Sequence, residues 1–127
     1  FGGYVREFTK KGADLIFVLT NDGWWGDTPG YKQHFEFSKL RAIENRRCVA
    51  RSANTGRSGF FNQRGDVLQQ TAYWQPDARR ETLKANTEVT FYAKHGDYLS
   101  HIALYITILL VIALGAKLIV DTINKKK

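Results

Sequence analysis

The pattern of hydrophobic and polar residues divides the chain into an α/β body and one long apolar segment. Residues 13–20 form a nearly continuous apolar run, which predicts a strand covered on both faces. A helical repeat follows over residues 31–47, with Tyr31, Phe35 and Ala42 on one face. Strand and helix form a βα unit, and its connecting loop lies at the carboxyl end of the strand, where layered α/β folds bind ligands.

The predicted helix has a recognisable start. Asp27 or Thr28 is expected to cap its first turn, with Pro29 directly behind the cap. Leu40 and Ile43 are expected to widen its apolar face. These signals predict that the helix begins as soon as the polar loop ends.

The rest of the body is predicted to contain a short helix end or loop, several strands and tight turns. The helix end or loop is expected over residues 2–11. Strands are expected over residues 48–54, 59–61, 66–71 and 81–89. Together these elements predict an incomplete set of α/β layers rather than a closed domain.

The long apolar segment lies near the end of the chain. Residues 102–116 carry no charge, and the apolar pattern continues past Lys117 to Val120. As a helix, residues 102–120 would extend about 28 Å, close to the roughly 30 Å of a hydrocarbon core. We therefore expect a transmembrane helix, with a buried core helix as the alternative.

The charge distribution refines this picture. The chain has a net charge of +7, from 19 Lys and Arg against 12 Asp and Glu. Four lysines, Lys117, Lys125, Lys126 and Lys127, lie in the tail with only Asp121 against them. A basic tail beside an apolar segment indicates a cytoplasmic tail and a body on the outer side of the membrane. A nucleic-acid footprint would instead be a basic face of the folded body, so no nucleic acid is expected as a partner.

Candidate chemistry is concentrated in the glycine-rich loop of residues 20–30. Asn21 and Asp22 follow the first predicted strand, and the adjacent Trp24 and Trp25 require a pocket or an amphipathic boundary. Plain packing of the indoles against the body is the alternative. The loop is therefore predicted to face a ligand.

Other reactive residue types are few. His34 is a candidate base or pocket contact, with helix capping or packing as the alternative. Cys48 is the only thiol, and its place in an apolar strand predicts a small buried hydrophobe rather than a nucleophile. Asp22, Asp27 and Glu36 are possible acid–base partners, although Asp27 is better explained as a helix cap. A single cysteine excludes a multi-cysteine metal site, and neither a cofactor nor a metal is expected.

Short motifs in a fixed order resemble apolipoprotein N-acyltransferase, the membrane member of the nitrilase superfamily of carbon-nitrogen hydrolases. They are TNDGWWG at residues 20–26, QHF at 33–35, RAIENR at 41–46, RSANTG at 51–56 and YAKHGDY at 92–98. The Arg-Ala-x-Glu-Asn pattern resembles one found in nitrilases in general. The Trp-Trp loop and the Gly-Asp-Tyr sequence are more particular to the acyltransferase.

This resemblance implies an α/β fold, a partial nitrilase-type αββα sandwich followed by one C-terminal transmembrane helix. The sandwich is expected over residues 1–91 and an interfacial linker over 92–101. The transmembrane helix is expected over residues 102–120 and a basic cytoplasmic tail over 121–127.

The resemblance also implies a reaction. Such enzymes transfer a fatty acyl chain from a phospholipid to the N-terminal diacylglyceryl cysteine of an apolipoprotein, through a thioester on a Glu-Lys-Cys set. The implied partners are the phospholipid donor, the lipoprotein acceptor and the bilayer. The full-length enzyme is expected to be a monomer, multi-pass in the bacterial inner membrane, with this body in the periplasm.

The catalytic set is expected to precede Phe1, so no catalytic residue is assigned within this chain. The chain contains no methionine, is expected to be the C-terminal part of a longer protein, and is expected to be inactive alone. Its predicted contribution is a wall of the substrate pocket formed by Asn21, Asp22, Trp24, Trp25 and His34. The alternatives are a membrane-anchored nitrilase-like amidase or hydrolase, and a non-enzymatic anchored module that binds anionic lipid or nucleic acid.

Overall fold

The structure, a computed structural model, describes residues 2–125 and divides the chain into two compact units. These are Phe1–Gly96 and Asp97–Lys127. Phe1, Lys126 and Lys127 lie outside the described residues, and with them part of the predicted basic tail. The first unit is the α/β body, and the second consists mainly of one long helix.

The body begins with helix α1, Gly2–Lys10, where a helix end or a loop was expected. Gly12 ends this segment with a φ of 96°, in the left-handed region that favours glycine. Thr9 is the buried residue of the helix. Tyr4 and Phe8 contact each other edge to face at 4.9 Å, yet both remain exposed.

A four-stranded sheet and a second helix form the centre of the body. The elements are β1, Leu15–Thr20; α2, Pro29–Asn45; β2, Cys48–Ala53; β3, Gly59–Phe61; and β4, Val67–Gln70. The strand order is β1-β2-β3-β4. β1 and β2 are parallel and are joined through α2, as a parallel pair requires, whereas the other two pairings are antiparallel.

Thr28 is the cap of α2. Its Oγ1 accepts a hydrogen bond from the backbone N–H of Gly30 at 3.3 Å, and Pro29 occupies the first turn as predicted. Asp27 is exposed and does not cap the helix, so that explanation of Asp27 was wrong. Arg46 closes the helix with a φ of 50°.

The core lies between α2 and one face of the sheet. Its members are Phe35, Ala42, Val49 and Phe61, with Ile16 and Val18 packed against them. Successive strand side chains point to opposite faces, and on the other face of β1 Phe17 and Leu19 are 67% and 84% exposed. The described residues thus cover β1 on one face only, contrary to prediction. Leu40 and Ile43 also remain exposed on α2.

The Arg-Ala-x-Glu-Asn segment of α2, residues 41–45, packs this helix against its neighbours. Ala42 is fully buried, and Arg41 forms an ion pair with Glu44 at 2.7 Å. The buried Asn45 accepts a hydrogen bond from Thr9 Oγ1 at 3.0 Å and donates one to the carbonyl of Arg41 at 3.0 Å. These contacts hold α1 against α2.

The strand expected over residues 81–89 is absent, and this prediction was wrong. The segment lacks regular secondary structure. Its backbone makes one bond to a neighbouring backbone, from the N–H of Asn86 to the carbonyl of Asp14 at 3.4 Å, and side chains bind carbonyls of the segment. Gln63 donates to the carbonyl of Lys84 at 3.1 Å, and Arg47 donates to that of Glu88 at 2.8 Å. Residues 81–89 therefore run along the body without regular secondary structure.

The predicted linker contains a short helix, α3, Phe91–His95. The hydroxyl of Thr90 caps it by accepting from the N–H of Ala93 at 3.0 Å, and Gly96 ends it with a φ of 70°. Thr90 Oγ1 also donates to the carbonyl of Glu44 at 2.7 Å. Thr90 therefore ties α3 to the end of α2, and the residues up to Gly96 are grouped with the first unit.

The second unit contains helix α4, Tyr98–Asn124, which extends beyond the predicted segment 102–120 at both ends. Its 27 residues correspond to about 40 Å. Within residues 2–125 it is the one helix whose length and composition would allow it to cross a membrane. No residue of α4 is buried, and the hydroxyl of Thr107 donates to the carbonyl of Ala103 within the helix, as an apolar environment requires.

Arg47 provides a test of how the body is held together. It is fully buried, and it donates to the carbonyls of Ala13 at 2.7 Å, Asn45 at 3.1 Å and Glu88 at 2.8 Å. Replacement by alanine leaves these acceptors without their donor. We expect Arg47→Ala to lower the free energy of unfolding by at least about 2 kcal/mol, measured by urea titration with tryptophan fluorescence in detergent.

The neighbouring Arg46→Asn is the matched control, since Arg46 is exposed and asparagine tolerates the left-handed backbone. Its free energy of unfolding should stay within about 0.5 kcal/mol of the parent. Equal losses in the two variants would contradict the assigned role of Arg47.

Candidate functional site

The predicted site loop lies between β1 and α2, beside the loop that follows β2. Because β1 and β2 are parallel, both loops leave from the same edge of the sheet. The side-chain oxygen of Asn21 accepts hydrogen bonds from the backbone N–H of Gly23 at 3.1 Å and from the hydroxyl of Thr55. Asn21 thus closes a local turn and joins the two loops.

Asp22 is the electrostatic centre of the site. Its side chain is fully buried. One carboxylate oxygen, Oδ2, accepts from Nη2 of Arg51 at 2.6 Å. The other, Oδ1, lies 2.8 Å from Nδ1 of His34 and accepts from the hydroxyl of Thr20 at 3.2 Å. The negative charge is therefore paired and hydrogen-bonded on both sides, as a buried carboxylate requires.

Arg51 reaches this carboxylate from β2. Its register partner on β1 is Val18, which places its side chain over the helix-covered face of the sheet. Arg51 is 4% exposed, and the rest of its guanidinium donates to the carbonyl of Arg57 and to Oγ of Ser38, both at 3.2 Å. Every nitrogen of this buried side chain has an acceptor.

Two glycines are required because side chains approach them closely. A Cβ at Gly56 would lie 2.5 Å from Oδ2 of Asp22, and a Cβ at Gly30 would lie 2.8 Å from the indole of Trp25. Neither distance is sterically possible. Gly56 therefore lets the second loop pack on the carboxylate, and Gly30 lets the indole lie on the start of α2.

The contacts of His34 determine its tautomer. A carboxylate only accepts hydrogen bonds, so Nδ1 carries the hydrogen in the 2.8 Å contact with Asp22. Nη2 of Arg51, which carries two hydrogens, lies 3.1 Å from the same nitrogen and donates one of them to Oδ2 of Asp22. In the neutral ring Nε2 then carries the lone pair, as in the aspartate–histidine pairs of hydrolases. None of the described residues forms a hydrogen bond with Nε2.

Aromatic rings flank His34 and lead into a groove. Trp25 and Phe37 contact the imidazole edge to face, with centroid separations of 5.2 and 6.3 Å. The groove has a volume of about 590 Å³, and Val5, Val18 and the other apolar side chains supply most of its lining. Its size and apolar walls are typical of small-molecule sites.

Outside the lining of this groove, Tyr73 stacks on Tyr31 with a centroid separation of 4.0 Å. The guanidinium of Arg57 lies over the Tyr31 ring at 5.4 Å. Burial raises the pKa of Tyr73, and the negative charge of Asp27 acts in the same direction. Tyr73 is therefore neutral and acts as a packing residue.

The structure brings together three of the five predicted wall residues, Asp22, Trp25 and His34. Asn21 lies at the start of the loop, where its side chain accepts hydrogen bonds from Gly23 and Thr55. Trp24 is 83% exposed at the tip of the loop, outside the groove.

The remaining candidate residues lie outside this cluster. Glu36 is exposed and lies 3.9 Å from Lys39, so it does not pair with Asp22 as an acid–base partner. Asp27 is also exposed. Cys48 is a free, buried thiol, which agrees with its interpretation as a core residue. Residues 2–125 contain no group of three or more metal-binding side chains.

Sequence analysis missed Arg51 and Ser38. Arg51 lies two residues after Val49 in β2, so the period of two along a strand places both side chains on the same, buried face. A charge at an inward strand position requires an opposite charge nearby. Asp22, at the end of the neighbouring parallel strand, supplies it. The signal was therefore present in the alternation of β2.

Comparison with known proteins identifies the class. Residues 1–93 match the carbon-nitrogen hydrolase family, and the chain therefore belongs to that family. Within it, the chain is similar to apolipoprotein N-acyltransferases, as its motifs predicted.

Three relatives represent the similarity. The chain is 38% identical over 104 residues to the apolipoprotein N-acyltransferase of Chlorobaculum tepidum, a match that covers 82% of this chain and 20% of the relative. It is 31% identical over 103 residues to that of Thermotoga maritima, covering 81% and 20%. It is 35% identical over 100 residues to that of Bdellovibrio bacteriovorus, covering 77% and 18%. The chain thus spans about a fifth of the length of these curated relatives.

The buried ion pair predicts a specific pattern of stability. Asp22→Ala or Arg51→Met alone leaves an unpaired buried charge, so each should lower the free energy of unfolding by about 3–5 kcal/mol. The double variant Asp22→Ala/Arg51→Met removes both charges and should lose clearly less than the sum. Urea titration of the three variants measures this coupling.

Asp27→Asn is the control, because Asp27 is exposed. It should shift the free energy of unfolding by no more than about 0.5 kcal/mol. Additive losses in the double variant would contradict an energetically coupled pair.

Proposed function

We propose that this chain forms the C-terminal part of an apolipoprotein N-acyltransferase. In this reaction a fatty acyl chain passes from a phospholipid to the N-terminal diacylglyceryl cysteine of an apolipoprotein, through an enzyme thioester. The names of the relatives and the family of the body support the assignment. The chain contributes a substrate-binding wall rather than the nucleophile.

The observation that carries the proposal is the direct succession of a carbon-nitrogen hydrolase body and a long apolar helix. The family match ends at residue 93, and α4, Tyr98–Asn124, begins a few residues later. A hydrolase acting on small soluble amides has no need of such a helix. An enzyme that takes its acyl group from a phospholipid must operate at a bilayer.

The proposed setting follows from the same helix. α4 spans the bacterial inner membrane, as one helix of a multi-pass protein that is monomeric as the full-length enzyme. The body lies in the periplasm and the lysine-rich tail in the cytoplasm. Lys117, near the end of the apolar segment, extends its ammonium toward the interface.

Within this proposal, Asn21, Asp22, Trp24, Trp25 and His34 form one wall of the substrate pocket. Trp25 and His34 line the groove, Asn21 and the buried Asp22 hold the loop in place, and Trp24 is exposed at the tip of the loop. The exposure of Trp24 and the groove beside Trp25 and His34 support this role. The catalytic Glu-Lys-Cys set belongs to the remainder of the enzyme, since Cys48 is buried in the core. No cofactor takes part.

Substitutions in the loop test the proposed wall. In the full-length enzyme that carries this chain, Trp24→Ala and Asp22→Ala should each lower acyl transfer to a diacylglyceryl-cysteinyl peptide by at least about tenfold, or 1.4 kcal/mol. The first removes an exposed aromatic surface and the second removes the centre of the ion-pair cluster. Trp74→Ala, at an exposed indole outside the groove, is the control. Activity within about twofold of the parent for both variants would remove these residues from the site.

The chain expressed alone is expected to transfer no acyl group and to form no thioester, because the catalytic set is absent from it. A labelled-phospholipid assay of the detergent-solubilised chain measures this directly. A thioester formed on Cys48 would contradict both the burial of that thiol and the proposed division of roles.

A further inference from the structure

We propose that His34 is the hydrogen-bond acceptor that receives and orients the primary amine attacking the acyl-enzyme. This inference rests on the proposed acyltransferase function and assigns one of its two substrates to a defined atom. The atom is Nε2 of His34. The role differs from that of the Glu-Lys-Cys set, because His34 binds the amine while the set carries out the acyl transfer.

The two nitrogens of the His34 ring point in different directions. Nδ1 donates to the buried Asp22, and Nε2 lies on the far side of the imidazole, so its lone pair points away from that carboxylate. The His34 side chain is 33% exposed and lines the groove. The ring therefore presents a hydrogen-bond acceptor of fixed polarity to whatever enters.

The His34 ring is held rigidly by its neighbours. Asp22 is held by Arg51 at 2.6 Å, and Arg51 is held in turn by Ser38 at 3.2 Å. Trp25 and Phe37 contact the imidazole on its flanks. A ring fixed by a buried carboxylate and two aromatic neighbours loses little entropy when a ligand binds, which makes it suitable for orientation.

The lone pair of Nε2 selects its ligand by chemistry. A lone pair requires a donor, and the reacting ester of a phospholipid offers only acceptor oxygens. The acyl acceptor carries a primary amine, which has N–H donors in either charge state. Of the two reacting groups, only the amine is complementary to Nε2.

The positive charges of the groove are neutralised by carboxylates. Both arginines that line the groove are paired with carboxylates, Arg51 with Asp22 at 2.6 Å and Arg41 with Glu44 at 2.7 Å. An arriving ammonium therefore meets no unpaired guanidinium in the groove. The exposed indole of Trp25 beside it provides a surface that attracts cations.

The attacking form is the neutral amine, since an ammonium has no lone pair and first releases its extra proton to solvent. In the transfer step the amine nitrogen forms a bond to the thioester carbonyl carbon, and the carbon–sulfur bond breaks. The electron pair of that bond leaves with the sulfur as a thiolate, and the proton lost by nitrogen passes to the base of the Glu-Lys-Cys set. His34 holds one N–H during the attack and takes no proton. Its loss should therefore affect amine binding more than thioester formation.

The test separates the two half-reactions in the full-length enzyme that carries this chain. A phospholipid with a labelled acyl chain is used to measure thioester formation, and a diacylglyceryl-cysteinyl peptide with a free α-amine is used to measure transfer per thioester formed. In His34→Phe, thioester formation should stay within about twofold while the KM for the peptide rises about tenfold. His34→Gln, whose carbonyl oxygen restores an acceptor, should recover most of the loss. Gln33→Ala, at an exposed neighbour on α2, is the control.

Each outcome distinguishes an amine-binding role of His34 from a structural one. Expressing transfer per thioester removes the contribution of any misfolded enzyme. Unchanged peptide KM in His34→Phe, or equal losses in both half-reactions, or no thioester at all, assigns His34 a structural role and overturns the proposal. Absence of both half-reactions in the parent enzyme instead overturns the proposed function.

Discussion

The buried ion pair between Asp22 and Arg51 is the interaction on which the loop geometry depends. It joins the carboxyl ends of two parallel strands at 2.6 Å, in a place that water does not reach. A charge in that position is tolerable only with its partner. The pair therefore specifies how the loop after β1 and the loop after β2 meet. The tautomer of His34 and the close approach of Gly56 both follow from it.

Much of the architecture was predictable because local signals and tertiary packing agree. The apolar run of β1, the Thr28-Pro29 start of α2 and the uninterrupted apolar stretch of α4 each formed the predicted element. Failures occurred where long-range contacts override a local pattern. Residues 81–89 alternate like a strand, but side chains from elsewhere, such as Arg47, bind their carbonyls, and no strand forms.

The site was predicted only in part for a related reason. Asp22, Trp25 and His34 were recognisable as residue types typical of binding sites, and the structure brings them together. Arg51 belongs to the same cluster but lies 29 residues from Asp22 in the chain. A pairing over that distance depends on the parallel register of β1 and β2, which no local window of the sequence specifies.

The exposed side of β1 has a consequence for how this body exists in a cell. Phe17 and Leu19 display aliphatic and aromatic surface to solvent at 67% and 84%, and a sheet face of this kind is normally complete only when a second sheet packs about 10 Å away. Within residues 2–125, the core on the helix-covered side of the sheet holds the body together. A layer that docks on this face binds only the folded body, so its docking adds to the free energy of unfolding by mass action.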